Sequence, residues 1–342
     1  MCKSKSIAFF SVGLKRTVSF FLCSAIFLLP FAADAAVKKA PAKSVQKSRP
    51  KKVRKNPSAA RPVKAAAPVT SPYRKEPYVG ALVMDAKTGR ILFSDGASAI
   101  ARPASVTKLM TALLVLEDVK AGRYGLDAMV CAGPMALRME PSIIGFIDAN
   151  TKKHVSWSVD TLLYALMIRS ANDAAVALAE HSSGSLEKFV ARMNAKAKSL
   201  GMDNTVYYNP NGLPPNQSKR YPWKSFNTTT CIDQAKLAQE ILAKHPELLK
   251  YTSCKTWTMP NGQTIINHNN VMRMDKWKIV NPDGTEAVDG LKTGYIHAGG
   301  SSVVLTGKRK GRRAIVVVLG SASAQLRDTH ARNLMVDALS SL

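Results

Sequence analysis

The stretch Arg102-Pro-Ala-Ser-Val-Thr-Lys-Leu-Met-Thr111 opens an apolar segment that runs to about Lys120. Apolar side chains recur there at helical spacing after a proline, which predicts a helix beginning at Ser105. Ser105 would lie at the positive end of that helix, and Lys108 would project from the same face one turn later. Apolar neighbours would desolvate the lysine amine and lower its pKa from about 10.4 toward neutrality, as a general base requires. Taken alone, the stretch fits an N-cap serine with a solvated lysine better, and Ser105 as a nucleophile with Lys108 as its base is the interpretation that partner motifs would favour.

Two further patterns would complete such a site. Lys292-Thr293-Gly294, followed by Tyr295, lies in a segment that we predict as an edge strand, with small residues where a substrate backbone could approach. Ser170-Ala171-Asn172 falls in a break between two predicted helices, a position suited to presenting side chains. Ser-x-x-Lys, Ser-x-Asn and Lys-Thr-Gly together are the signature of class A β-lactamases and penicillin-binding proteins.

Each pattern also occurs where the local structure argues against catalysis. A low-complexity segment cannot hold a catalytic geometry, a serine at a helix start is sufficiently explained as a cap, and a lysine before Thr-Gly is ordinary in a hairpin turn. The copies are Ser44/Lys47, Ser48/Lys51, Ser185/Lys188, Lys87-Thr88-Gly89 and, in a long polar loop, Ser225/Asn227.

Elsewhere the sequence predicts strands at both ends of the folded part and helices between them. The strands are 79–84, 90–94, 301–306 and 314–319, with a basic turn at 307–313, and the helices are 160–168, 173–181, 186–200 and one from about Asp328. This order predicts an α+β domain whose antiparallel sheet unites the N-terminal and C-terminal hairpins.

The runs 102–111, 166–175 and 289–295 closely resemble low-molecular-mass penicillin-binding proteins, the D-alanyl-D-alanine carboxypeptidases and DD-endopeptidases of the S11 peptidase family. The likeness covers about 79–335. It implies the penicillin-binding-protein/β-lactamase-like transpeptidase fold, in which an antiparallel sheet with helices is joined by a helical subdomain. It also implies peptidoglycan stem peptides as substrates, β-lactam antibiotics as covalent inhibitors, and no cofactor or metal.

The resemblance further implies a role for each motif residue. Ser105 would attack the D-Ala carbonyl to form an acyl-enzyme while Lys108 takes its proton. Ser170 would relay a proton to the leaving amine, and Asn172 would orient Lys108 and the substrate amide. The substrate-binding residues would be Lys292 and Thr293 at the substrate carboxylate, with Gly294 and Tyr295 beside them; the backbone amides of Ser105 and Tyr295 would form the oxyanion hole.

Removal of terminal D-Ala is the expected activity, and cleavage of cross-links by the same machinery is the alternative. The compact architecture and the run 192–202 also resemble the DD-endopeptidase branch. A class A β-lactamase is a distant alternative, because no acid between 171 and 210 begins the Glu-x-x-Leu-Asn element of its second base. A basic wall-binding protein with relic motifs is the non-enzymatic alternative, and the intact motifs argue against it.

The N-terminal part of the chain reads as an export signal and a tether. Residues 1–36 combine a basic start, an apolar run and Ala33-Asp34-Ala35, which predicts a signal peptide and a periplasmic or cell-envelope location. An uncleaved transmembrane anchor is the alternative, although the apolar run is shorter than the ~20 residues that cross a bilayer. Residues 37–77 contain thirteen Lys or Arg and one acid, so we expect a disordered Ala/Pro/Lys-rich tether. An exported basic segment favours an anionic wall or membrane surface over nucleic acid, and a solvated spacer is the alternative. Residues 78–342 would be the DD-peptidase domain, and we expect no β-sandwich domain of the kind that often follows it in carboxypeptidases.

Cysteine and histidine do not suggest the chemistry of the site. Three cysteines remain after signal removal, of which Cys231 and Cys254 could pair. The histidines form no metal-binding pair, so structural or surface roles are expected for all six, at 154, 181, 245, 268, 297 and 330.

Overall fold

A five-stranded antiparallel sheet forms the centre of the fold. The computed structural model describes residues 78–215 and 222–341, so the predicted signal peptide and tether lie outside the described residues. The sheet order is β2-β1-β9-β8-β7, which places β7 at one edge. The strands are β1 (Gly80–Asp85), β2 (Ile91–Asp95), β3 (Met129–Val130), β4 (Trp157–Ser158), β5 (Thr256–Thr258), β6 (Thr264–Ile266), β7 (Val288–Ile296), β8 (Gly300–Arg309) and β9 (Arg312–Ser321).

Helices cover both faces of this sheet and form a lobe beside it. They are α1 (Lys108–Lys120), α2 (Val159–Tyr164), α3 (Asn172–Ser183), α4 (Leu186–Ser199), α5 (Cys231–Lys244), α6 (Leu249–Thr252), α7 (Asn270–Arg273) and α8 (Ala324–Ser341). Short 3-10 turns occupy Ala104–Thr107, Ala136–Arg138, Pro246–Leu248 and Asp275–Trp277, and a π-helical turn spans Ala165–Arg169.

The central strands are apolar on both faces because each face has its own core. Alternate residues point to opposite sides of a strand. Thus Val304 and Val317 pack with the helical lobe, whereas Val303 and Val316 pack with α8 on the other side. The two layers of helix leave β8 and β9 almost wholly buried.

The predicted α+β class is confirmed, with several differences at element ends. The helix expected from Ser105 begins instead with the 3-10 turn, and its α-helical part starts at Lys108. The basic turn is shorter than predicted because β8 continues to Arg309 and β9 begins at Arg312. The last helix starts at Ala324 rather than Asp328, since the Ser323 hydroxyl accepts the Leu326 amide hydrogen and caps the chain there.

The structure also answers whether Cys231 and Cys254 pair and whether any described helix could cross a bilayer. The cysteines of the described residues, Cys131, Cys231 and Cys254, are free thiols, so the possible Cys231–Cys254 pairing does not form. Over 78–215 and 222–341, none of the helices combines the length and the apolar character that crossing a bilayer demands.

A buried carboxylate fastens the helical lobe together. Asp118 of α1 is fully buried and forms ion pairs with Arg123 and with Arg192 of α4. It also accepts hydrogen bonds from the hydroxyls of Tyr124 and of Ser182 at the end of α3. One carboxylate therefore links α1, α3 and α4.

Replacing Asp118 by alanine should destabilise the fold, because the Arg192 guanidinium would lose its partner in a half-buried setting. We expect the free energy of unfolding to fall by about 2–4 kcal/mol in a denaturant titration. Asp275→Ala is the matched control. Asp275 is 91% exposed in its pair with Lys278, so its loss should leave the free energy of unfolding nearly unchanged. Equal losses of unfolding free energy in the two variants would contradict the proposed stabilising role of Asp118.

Candidate active site

The cleft forms where the edge strand β7 packs against the 3-10 turn that carries Ser105. A side-chain carbon at Gly294 would lie 2.6 Å from the Pro103 carbonyl oxygen and 3.0 Å from the Ser105 amide nitrogen. The two backbones can touch only because Gly294 has no side chain. This contact holds the predicted Lys292–Tyr295 segment directly beside Ser105.

The amine of Lys108 is completely buried and is surrounded by three oxygen atoms. Its Nζ lies 2.9 Å from Ser105 Oγ, 2.8 Å from Asn172 Oδ1 and 2.8 Å from the Asn211 carbonyl oxygen. Burial holds the pKa of Lys108 well below its usual range, and the charge of Lys292 lowers it further, whereas Asp173 opposes both. A neutral amine in contact with the serine hydroxyl can accept its proton.

Asn211 is a contributor that the sequence analysis missed. Its loop is fixed by the side chain of Asn209, which accepts hydrogen bonds from the amides of Asn211 and Gly212 at 3.3 and 2.6 Å. Asn227 holds the same loop to the nucleophile's turn, because its Nδ2 donates to Thr107 Oγ1 and to the Asn209 carbonyl, each at 3.0 Å. The Ser225/Asn227 copy of the Ser-x-Asn pattern is therefore structural.

The second motif is joined to the opposite wall of the cleft. The Asn172 amide donates to the Ser142 carbonyl at 2.7 Å, and its side-chain nitrogen donates to the Pro141 carbonyl. Asp173 next to it accepts the amides of Ile144 and Gly145 at 3.1 and 2.8 Å. Asn172 thus reaches Lys108 with its oxygen while its other polar groups fix the segment 141–145.

Three non-glycine residues around the cleft adopt left-handed backbone conformations. Their φ angles are 49° at Ala104, 57° at Ser142 and 60° at Ser170. Such residues cost about 1–3 kcal/mol each and persist where surrounding contacts fix them. At Ala104 the contact is with Gly212, where a side-chain carbon would lie 1.8 Å from the Ala104 carbonyl oxygen. The strain places Ser105 and Ser170 on sharp turns that face the cleft.

Positive charge gathers on one side of the nucleophile. Lys292 is buried, and its Nζ donates to the Thr293 carbonyl oxygen at 3.0 Å. Burial, followed by the charge of Arg327, lowers the pKa of Lys292 to about 7. Arg327 lines the same cleft and is held by Asp328, whose Oδ1 accepts from its Nε and Nη2 at 2.8 and 2.6 Å. This arrangement can receive a carboxylate.

His268 and Arg327 are further cleft residues that the sequence analysis missed. Only a structural or surface role was expected for His268, yet this residue, which remains partly open to solvent, lines the cleft, and its backbone amide donates to the Ile168 carbonyl at 3.3 Å. Burial and then the charge of Lys292 lower the pKa of His268 to about 4, so its ring is neutral at pH 7. Neither residue lies in a motif, and no sequence signal identified either.

The structure brings all eight predicted site residues to one place. Ser105, Lys108 and Asn172 are linked by hydrogen bonds, and Lys292 is buried next to Thr293. The cleft of about 340 Å³ is lined by Ser105 together with Ser170, Thr293, Gly294 and Tyr295. Among the described residues, the side chains of Ser170 and Thr293 have no hydrogen-bond partner, and the Tyr295 side chain is 62% exposed.

Other copies of the motifs that fall on described residues have local structural roles. The Ser185 hydroxyl accepts the Lys188 amide hydrogen at 3.3 Å and caps α4. The amides of Lys87 and Thr88 both donate to Asp85 in the β1–β2 turn. Within the described part of the chain, no group of three or more His, Cys, Asp or Glu residues could hold a metal ion.

A serine–lysine pair at a sheet edge, with a second serine and a cationic wall opposite, defines a penicillin-binding-type serine peptidase. The sequence profile of the Peptidase_S11 family, described as D-alanyl-D-alanine carboxypeptidase, matches residues 77–323. The chain belongs to this family, and the resemblance stated from the motifs is confirmed.

Individual relatives agree with the family match. The chain is 30% identical over 264 residues to the D-alanyl-D-alanine carboxypeptidase DacF of Bacillus subtilis, covering 76% of this chain and 61% of the relative. It is 29% identical over 255 residues to the D-alanyl-D-alanine endopeptidase of Escherichia coli, covering 71% of each. The chain thus spans about three fifths of the length of the carboxypeptidases it matches.

Solved structures confirm the predicted transpeptidase-type fold. PBP3 of Streptococcus pneumoniae, described as a peptidoglycan synthesis regulatory factor, superposes with a TM-score of 0.66 at 31% identity, covering 78% of this chain and 74% of that one. Penicillin-binding protein D2 of Listeria monocytogenes, in an ampicillin-bound form, gives a TM-score of 0.63 at 29% identity, covering 78% and 98%.

The two lysines should give acylation by penicillin a bell-shaped pH dependence. We expect this reaction to require a neutral Lys108 as the base and a charged Lys292. Because the pKa of Lys292 is about 7, its charge is present below that pH and is lost as the pH rises, so acylation efficiency should fall above about pH 7. Lys292→Arg keeps a permanent charge and should move this alkaline fall to higher pH, measured as the second-order acylation rate. An alkaline limb that stays in place in the variant would contradict the assignment.

Proposed function

We propose that this chain is a serine-type D-alanyl-D-alanine carboxypeptidase that removes terminal D-Ala from peptidoglycan stem peptides through an acyl-enzyme. The observation that carries the proposal is the buried Lys108 amine, 2.9 Å from Ser105 Oγ and held by Asn172 inside a cleft with a cationic wall. A substrate that ends in a free carboxylate suits that wall, and the D-alanyl-D-alanine carboxypeptidase activity by which the family is described is consistent with it.

Acylation would transfer one proton, form a bond between Ser105 Oγ and the carbonyl carbon, and break one C–N bond. Lys108 Nζ takes the Ser105 hydroxyl proton as Oγ bonds to the carbonyl carbon, and the backbone amides of Ser105 and Tyr295 stabilise the oxyanion, each by about 3 kcal/mol. The C–N bond then breaks, and the leaving amine of D-Ala receives the proton through Ser170. Water then attacks the ester carbonyl as Lys108 takes one of its protons. The C–Oγ bond breaks, Lys108 returns the proton to Ser105 Oγ, and the shortened peptide leaves with the water oxygen in its carboxyl group.

The terminal carboxylate would be recognised by three groups on the cationic wall. Lys292 and Arg327 supply positive charge, and the Thr293 hydroxyl, which has no partner among the described residues, supplies a hydrogen bond. Charge-assisted hydrogen bonds of this kind are about twice as strong as neutral ones. The same groups would receive the carboxylate of a β-lactam, so we propose β-lactams as covalent inhibitors.

Cleavage of cross-links is the second candidate, supported by the similarity to a DD-endopeptidase over 71% of both chains. Both reactions break a bond after a D-Ala carbonyl and leave a carboxylate on the departing residue. The distant β-lactamase alternative gains no support from the geometry. Glu180 and Glu187 lie in a separate cavity with Met129 and Cys131, so neither supplies a second base in the cleft.

Acylation and product analysis test this proposal together. Fluorescent penicillin should label the full chain, and Ser105→Ala should abolish labelling because the nucleophile is gone. Incubation with purified peptidoglycan, followed by mass analysis, should show free D-Ala from pentapeptides. Loss of cross-linked dimers without D-Ala release would favour the endopeptidase, and persistent labelling of Ser105→Ala would overturn the nucleophile.

We also propose that residues 1–36 direct export to the periplasm or cell envelope, and that residues 37–77 bind an anionic wall or membrane surface. The support is the apolar run behind a basic start, followed by thirteen basic residues and one acid. Surface attraction of this kind requires no fixed structure in the segment.

Deleting 37–75 should weaken sedimentation with isolated wall sacculi or anionic vesicles at low salt, because a segment with thirteen basic residues and no acid is removed. Binding of the intact chain should also fall as salt is raised, since salt screens exposed charges. Cosedimentation with the full chain as the control measures both. Equal binding of the two chains would make the segment a spacer.

A further inference from the structure

Two arginines at the mouth of the cleft have no role in the proposed reaction. Arg169 directly precedes Ser170 and is half-buried, and Arg273 lies at the end of α7 and is exposed. Neither forms an ion pair with an acid among the described residues. Arg273 is nevertheless held in place, because its Nη2 donates to Asn270 Oδ1 at 3.0 Å, and Asn270 lines the cleft.

A line of hydrogen bonds connects Arg273 to the carboxylate-binding wall. Asp328 accepts from Arg327 with one carboxylate oxygen and from Asn270 Nδ2 with the other, the latter at 2.9 Å. Asn270 in turn accepts from Arg273. The line runs from the buried guanidinium of Arg327, which lines the cleft, to the exposed guanidinium of Arg273 outside the lining.

His268 connects Arg169 to the same place. Its backbone amide is bound to the Ile168 carbonyl, next to Arg169, and its ring lines the cleft beside Asn270. The charges of Arg169 and Arg273 both act on this ring. Neither ring nitrogen has a hydrogen-bond partner among the described residues, so the neutral ring can offer one N–H donor to a ligand.

The gathering of these charges requires an explanation. Lys292, Arg169 and Arg273 all act on the His268 ring, Arg327 acts on Lys292, and of these four cations only Arg327 is paired with an acid among the described residues. Concentrated charge of one sign in a cleft raises the local concentration of the opposite ion. One terminal carboxylate accounts for Lys292 and Arg327 and leaves the two outer arginines for a second anion.

We propose that Arg169 and Arg273, together with His268, form a second anion subsite that takes a carboxylate of the departing peptide beyond the scissile bond. This inference rests on the second candidate of the proposed function, cleavage of cross-links at the same site, and deepens it. Free D-Ala carries a single carboxylate, whereas the acceptor peptide of a cross-link carries a further one at its own C-terminus. The subsite therefore favours cross-linked peptides as substrates, because guanidinium groups bind carboxylates in a fixed geometry.

The test compares cross-linked peptide dimers whose acceptor C-terminus is a free carboxylate or a carboxamide. For the wild-type chain, amidation should lower kcat/KM by roughly tenfold, as loss of one charged hydrogen-bonding contact does. In the Arg169→Gln/Arg273→Gln double variant, the free and amidated dimers should be cleaved with equal efficiency. The amidated dimer also reports whether the variant remains folded and active.

Arg90→Gln is the matched control, because Arg90 is exposed in the β1–β2 turn at the opposite end of the sheet, and it should keep the wild-type ratio. Equal cleavage of both dimers by the wild type, release of D-Ala without dimer cleavage, or an unchanged ratio in the double variant would each overturn the subsite alone. Labelling by penicillin with hydrolysis of neither pentapeptide nor dimer would overturn the proposed function, and the subsite with it.

Discussion

Burial of the Lys108 amine is the constraint on which the rest of the site depends. An amine taken out of water loses several kcal/mol of solvation unless its hydrogen bonds are replaced. Here the replacements come from the 3-10 turn, the first residue of α3 and the Asn211 carbonyl, all within 2.9 Å. Each of these segments is fixed by its own hydrogen bonds, through Asn227, Asn209 and the 141–145 wall. The loops around the site are therefore ordered because they share one buried atom.

Close approach of backbone segments supplies the second requirement. Gly294 lets β7 touch the turn on one side, and Gly212 lets the polar loop touch Ala104 on the other. A side chain at either glycine would separate the segments by more than a hydrogen bond tolerates. The turn is clamped between them, and the left-handed conformation of Ala104 is held by that clamp. Strain near the nucleophile thus follows from packing two backbones around one turn.

The features that could be predicted from sequence are those that depend on recognisable side-chain patterns. Apolar spacing located the helix of Lys108, and motif context selected Ser105, Ser170 and Lys292. Asn211 could not be found this way, because it contributes a carbonyl that every residue possesses. Arg327 and His268 reach the cleft only through the tertiary fold, from segments with no distinctive spacing. The 3-10 start of the first helix was missed because its cause is the contact with Gly294, which lies 189 residues away from Ser105 in the chain.

The electrostatics of the site join substrate binding to activation of the base. The cations that would bind a carboxylate also disfavour a charge on Lys108, and Lys292 contributes directly to its low pKa. A bound carboxylate would offset Lys292 and so weaken that contribution. Desolvation is the larger cause of the low pKa of Lys108, however. A substrate that fills the cleft excludes water and so increases this desolvation. Asp173 is the opposing charge, and its carboxylate is already engaged by the amides of Ile144 and Gly145. Lys108 can therefore remain neutral when the substrate carboxylate binds, because its low pKa depends mainly on burial.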